Sequence, residues 1–113
     1  MKNKILIVPY SFDDQDYYKV RPVLCLTGAV GEFQHIIVAF ISSKEPKEFI
    51  ETNISINITD FGFQETGLKV TSYVRPYRVV SIPITAIKRE LGTLPLSLQQ
   101  KVTEKIKHLF ELA

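Results

Sequence analysis

Short apolar runs bounded by polar and turn residues, with one strictly alternating segment, predict strands along most of this chain. Residues 4–9 (KILIVP) read as a first strand, followed by a polar loop over 10–20 that is rich in Asp and Tyr. Residues 22–27 predict a second strand, with "GAVGE" as the turn after it, and residues 35–42 predict a third, followed by a charged loop around Pro46. "NISINI" at 53–58 alternates strictly, as a half-buried strand does. "TDFGFQETG" supplies turn chemistry. Residues 68–75 and 78–82 predict one further strand or two, with Pro76 at an edge or a bend because proline cannot donate to a ladder.

Helices come last. Residues 83–91 predict a short helix, with Pro83 tolerated in the first turn and Gly92 as its stop. Over about 96–112, Leu98, Val102, Ile106 and Leu109 recur at helical spacing, and Lys101, Glu104, Lys105, His108 and Glu111 take the opposite face. Short strands followed by a terminal helix predict a mainly β chain with some α: a small curled antiparallel barrel with helices packed on it.

Composition narrows the class. A chain of 113 residues is expected to form a single domain over 1–113 and to close one hydrophobic core. With 45% hydrophobic and 23% charged residues it is globular and not a disordered tail. No apolar run approaches the roughly 20 residues of a membrane span. "KILIVPY" is too short for a signal-peptide core, so the expected location is the cytoplasm. Cys25 is the only cysteine, which excludes a disulfide framework within the chain; in an apolar strand it reads as a small core residue.

The net charge of +2 is uninformative, but its distribution is not. Residues 69–89 hold five cations (Lys69, Arg75, Arg78, Lys88, Arg89) and no acid, whereas residues 44–60 hold four acids against two bases. Such asymmetry marks either an anionic partner or a solvated edge.

Several catalytic classes lack their residues. There is no Gly-rich phosphate loop and no HExxH pair. His108 lies one turn after Glu104 on the polar helix face and reads as its i,i+4 partner. His35 and Ser42 are seven strand steps apart, about 23 Å, and an odd number of steps puts them on opposite faces. They form no dyad. Asp13, Asp14 and Asp16 cluster in one loop, but "DDQD" lacks the glycine turn and closing glutamate of a calcium loop. An enzyme built from this chain would work with arginine, lysine, hydroxyls and a carboxylate. RNA cleavage fits that restriction. The 2′-hydroxyl is the nucleophile, and the protein positions it, moves protons and stabilises charge on the phosphorane oxygens. A guanidinium forks bidentately onto phosphate.

The order "ILIVPYSFDD", "KVRPVLCLTG", "IIVAFISS", "GLKVTSYVRPYRVVSI", "LGTLP" and an amphipathic C-terminal helix resembles the MazF/PemK family, toxins of type II toxin–antitoxin systems. The similarity runs through nearly the whole chain, and the K-x-RP approach to strand two is its most specific part. The resemblance implies an SH3-like barrel of the MazF/CcdB type with a C-terminal helix, usually as a homodimer. It implies a metal-independent, sequence-specific endoribonuclease that needs no cofactor and cuts single-stranded RNA to 2′,3′-cyclic phosphate and 5′-hydroxyl ends. It also implies a cognate antitoxin whose C-terminal segment occupies the RNA groove.

Residues carry over one at a time. Arg21 matches the arginine of the family's RP motif, implicated in acid/base work and phosphate stabilisation; the plain alternative is a cap on an exposed strand end. Ser42 falls where the family commonly has a threonine at the end of strand three; its hydroxyl either holds the scissile phosphate or is that of a plain strand-end serine. Lys19, two residues before Arg21, is either a phosphate contact or a solvated lysine. Arg75 matches a second family arginine. Tyr77 stands where the PemK-like branch has an aspartate, and a neutral phenol is a poor general base near pH 7. Tyr17 and Tyr18, with Tyr10 and Phe12, either stack on RNA, bind an antitoxin or pack over the barrel mouth. Two other classes stay open: a relative that poisons a protein target, as CcdB-like toxins act on gyrase, and a barrel that only binds RNA or antitoxin.

Overall fold

Six runs of alternating side chains pair into one antiparallel sheet. A computed structural model of the protein describes residues 1–9 and 19–112. The strands are β1 (Lys4–Pro9), β2 (Val20–Cys25), β3 (His35–Ser42), β4 (Ile54–Ile56), β5 (Ser72–Pro83) and β6 (Arg89–Thr93), followed by helix α1 (Leu96–Leu109). Their order across the sheet is β4-β5-β3-β2-β1-β6. β1 and β3 have the bounds expected from the sequence, while β2 begins two residues early and ends two early, because Val20 and Arg21 pair with Pro9 and Val8.

Period-two alternation sends successive side chains to opposite faces, and both faces are apolar at the centre. One face carries Ile5, Leu24, Ala39, Ile41, Ile54, Ile56 and Val74, covered by Leu94, by Leu98 and Val102 of α1, and by Phe63. The other carries Leu6, Val8, Val23, Cys25, Ile36 and Val38, partly covered by Val80, Ile82, Ile84 and Ile87. The expectation of one core is therefore corrected. The curled sheet separates two clusters, and the central strands are buried on both sides. This explains why β1 reads as a continuous apolar run.

The short helix expected at 83–91 does not form. A single 3₁₀ turn at Ile84–Ala86 leads into β6. Ile84, Thr85 and Ile87 are β-branched and stiff at χ1, Ile84 and Ile87 pack on the second cluster, and the Lys88 N–H donates to the Ile7 carbonyl at 2.8 Å. The open edge of β1 thus takes residues that local periodicity assigned to a helix. Gly92 is no helix stop. It sits in β6 opposite Ile5, where a Cβ would strike the backbone of Glu65 and Thr66.

β5 runs unbroken through Pro76. Opposite it, β3 pairs Phe40 with Arg75 and Ala39 with Val79, so Pro76, Tyr77 and Arg78 bulge between them. On its other side β4 reaches only to the Ile54↔Val74 pair. Proline's missing N–H therefore costs no ladder bond there.

Candidate functional site

The sheet register assembles the site. On the face away from α1, Tyr73 of β5 pairs with Ser42 of β3 on one side and Ser55 of β4 on the other. The β2–β3 register pairs Val23 with Phe40, and running it on by two residues sets Arg21 across from Ser42. Arg21 therefore falls on the same face as the paired row Ser42, Tyr73, Ser55, just beyond the last β2–β3 pair. The next row sets Arg75 opposite Phe40. Arg21, Ser42 and Arg75, separated by up to 54 positions (75 − 21), share one face. Their anchors are the buried residues Val23, Ile41 and Val74, each in an apolar cluster.

The segment 43–53 lies against this face. The Ser42 hydroxyl accepts from the Lys44 N–H at 3.1 Å, and Arg75 Nη2 donates to the Lys44 carbonyl at 3.3 Å. Two residues singled out from the sequence therefore hold the same loop residue. Arg75 Nε is buried with no hydrogen-bond partner. A cavity of about 370 Å³ opens beside it, lined by Lys44, Glu45, Lys47, Glu48, Arg75 and Tyr77. The acid-rich and cation-rich segments of the sequence meet in this cavity, with three cations facing two carboxylates. Arg78 lies over the Phe40 ring, 5.5 Å from its centroid, in a cation–π contact.

A second cavity, about 290 Å³, lies across the same loop, lined by Phe49, Asn53, Ser55 and Tyr73 together with Glu45 and Glu48. Both amide atoms of Asn53 are buried and unsatisfied, which ordinarily costs about 1–3 kcal/mol per group.

Of the remaining residues singled out, Lys19 is exposed just before β2, and Tyr77 is 40% exposed in the β5 bulge. Tyr17 and Tyr18, like Asp13 and Asp14, lie outside the described residues. His108 does not pair with Glu104 but bonds Glu51 of the loop, Nε2 to Oε2 at 3.3 Å. α1 crosses the sheet there, so the acid comes from another element. Among the described residues no three of His, Cys, Asp and Glu converge as a metal site requires, and no helix is long and apolar enough to cross a membrane. Tyr73, Asn53 and Ser55 were missed in the sequence. Tyr73, Arg75 and Tyr77 recur at period two, and so do Asn53 and Ser55. That polar half of an alternating strand looks like solvent face until the loop is folded over it.

A curled half-barrel with one C-terminal helix is the fold of the MazF toxins. The chain superposes on the Mycobacterium tuberculosis toxin MazF-mt6 with a TM-score of 0.71 at 24% identity, over 97% of this chain and 98% of that one. A mycobacterial endoribonuclease in complex with its cognate antitoxin gives 0.70 at 13%, over 100% and 96%. A MazE–MazF complex from Deinococcus radiodurans gives 0.70 at 12%, over 99% and 95%. A search of curated protein sequences returns no match. The family model for PemK-like, MazF-like toxins of type II toxin–antitoxin systems matches residues 2–110, and the chain belongs to that family.

Proposed function

We propose that this toxin is an endoribonuclease that cuts single-stranded RNA by attack of the 2′-hydroxyl, leaving 2′,3′-cyclic phosphate and 5′-hydroxyl ends without a metal. The observation that carries the reading is the convergence of Arg21, Ser42 and Arg75 on one sheet face beside a cavity. Two guanidiniums flanking a phosphate stabilise the charge that develops on the phosphorane oxygens. Ser42 accepts one hydrogen bond, so its own O–H is available to a phosphate oxygen. Arg21 assists proton transfer. Tyr77 leaves the acceptor role to another group, and Glu45 and Glu48 bring carboxylates to the same cavity. Lys19, Tyr17 and Tyr18 add phosphate and stacking contacts along the approach to β2.

The partner is a cognate antitoxin that covers the RNA face, as two of the similar solved structures are toxins held by their antitoxins. The working form is a cytoplasmic homodimer. Incubating the purified protein with unstructured RNA in EDTA tests the reading. Cleavage with cyclic-phosphate ends is expected, reduced at least a hundredfold by Arg21→Ala and, for whichever carboxylate takes the proton, by Glu45→Gln or Glu48→Gln. Growth arrest on expression with no RNA cleavage in vitro would overturn it.

A further inference from the structure

We propose that the cavity beside Asn53 takes one base of the bound RNA and that the Asn53 carboxamide reads it; the inference rests on the RNA-cleaving reading above. Asn53 immediately precedes β4, and its Nδ2 and Oδ1 are both buried without a hydrogen-bond partner. An amide left without partners at both ends is rare in a folded chain, and a ligand that pairs with both atoms would satisfy it. A carboxamide offers a donor and an acceptor side by side, the pattern of a base edge, so two parallel hydrogen bonds can form.

The surroundings suit a flat ring. Tyr73 lines the cavity from the sheet, and Phe49, 90% exposed on the loop, lines it from above. Bases stack on such rings whatever their identity, so the carboxamide is left to discriminate. Glu45 and Glu48 line the same space. Their acceptors favour a base whose Watson–Crick edge sets an exocyclic amine beside a ring-nitrogen acceptor, adenine or cytosine; the amine donates to Oδ1 while the ring nitrogen accepts from Nδ2. The cavity beside Arg75 shares Glu45, Pro46, Lys47, Glu48 and Ile50 with this one, so the base lies next to the phosphate that Arg75 would hold. Asn53 is part-buried, with its two amide atoms covered, and a base reaches those atoms as the loop shifts. The ties at Lys44 come from Ser42 and Arg75, the groups a phosphate would engage. Capture of the phosphate and admission of the base are then coupled.

The test uses two randomised single-stranded pools: unmodified RNA to read cleavage, and 2′-O-methyl RNA, which has no attacking hydroxyl, to read binding. The wild-type protein is expected to restrict one position to adenine or cytosine by about ten- to a hundredfold. Asn53→Leu should lose the restriction at that position alone, with its melting temperature kept. Asn53→Asp presents two acceptors and should shift the preference to guanine, whose N1–H and N2–H₂ are adjacent donors. A merely structural asparagine would produce no such shift, and this variant decides the matter if Asn53→Leu fails to fold. A base profile unchanged in both variants, or one that prefers uracil at the position Asn53 governs, overturns the proposal. Base-selective binding of the 2′-O-methyl pool without cleavage of RNA would overturn the endoribonuclease reading and leave this one standing. Neither binding nor cleavage overturns both.

Discussion

Single residues show how burial decides chemistry here. Cys25 is fully buried, and its thiol donates to the Thr27 carbonyl at 3.0 Å. Burial raises its pKa above the ordinary 9.0; the N-terminal charge pulls the other way and is smaller. The folded state therefore keeps a proton that the unfolded chain releases first, and stability must fall as pH rises past 9.0. Below that value the contribution is fully present. Thermal melts of wild type and Cys25→Ala from pH 7 to 10 should show the wild-type advantage shrinking above pH 9, and thiol reagents should label the folded protein slowly. A constant difference across that range would contradict the assignment. Arg21 stood out through the K-x-RP motif, and Arg75 through its match to a second arginine of the family. Asn53 did not, because an asparagine on the polar side of "NISINI" has nothing local to mark it as buried.

Among the elements, the terminal helix followed from its helical spacing, and the first and third strands from short apolar runs that are buried on both faces of the sheet. The segment 83–91 did not, because its apolar residues suit either state and the edge of β1 made the choice. Gly67 and Gly92 record that choice. The turn Phe63–Thr66 packs so closely on β6 that a Cβ on Gly92 would meet the backbone of Glu65 and Thr66, and one on Gly67 would meet the backbone of Leu91. Gly67 also has φ +73°, a left-handed conformation that disfavours any side chain. Gly92→Ala should thus destabilise the fold by about 1–3 kcal/mol, measured by urea denaturation. An exposed glycine with open space around it, Gly28, provides the control and should tolerate alanine. Equal effects at the two sites would mean the turn does not press on β6.

The whole molecule divides its two faces by task. One is closed by α1, and the other is apolar beside Val8 and Val23 and polar where Arg21, Ser42, Tyr73 and Arg75 line up. If these cations meet RNA, binding should weaken steeply with salt, and substituting Lys19, Arg21 or Arg75 by alanine should each flatten the log–log slope by about 0.7, the value for one phosphate contact on a single strand. Unchanged slopes would place them away from the backbone of the RNA. Alternation and helical spacing in the sequence were enough to specify a mainly β chain with a terminal helix, and the motif order was enough to indicate its family. Both signals are local or linear. Which strands neighbour one another, which residues a bulge sets aside, and which polar side chains a loop covers depend on contacts between distant positions. Tertiary packing decided that Arg21, Ser42 and Arg75 share one sheet face and that the loop 43–53 lies over it beside Asn53.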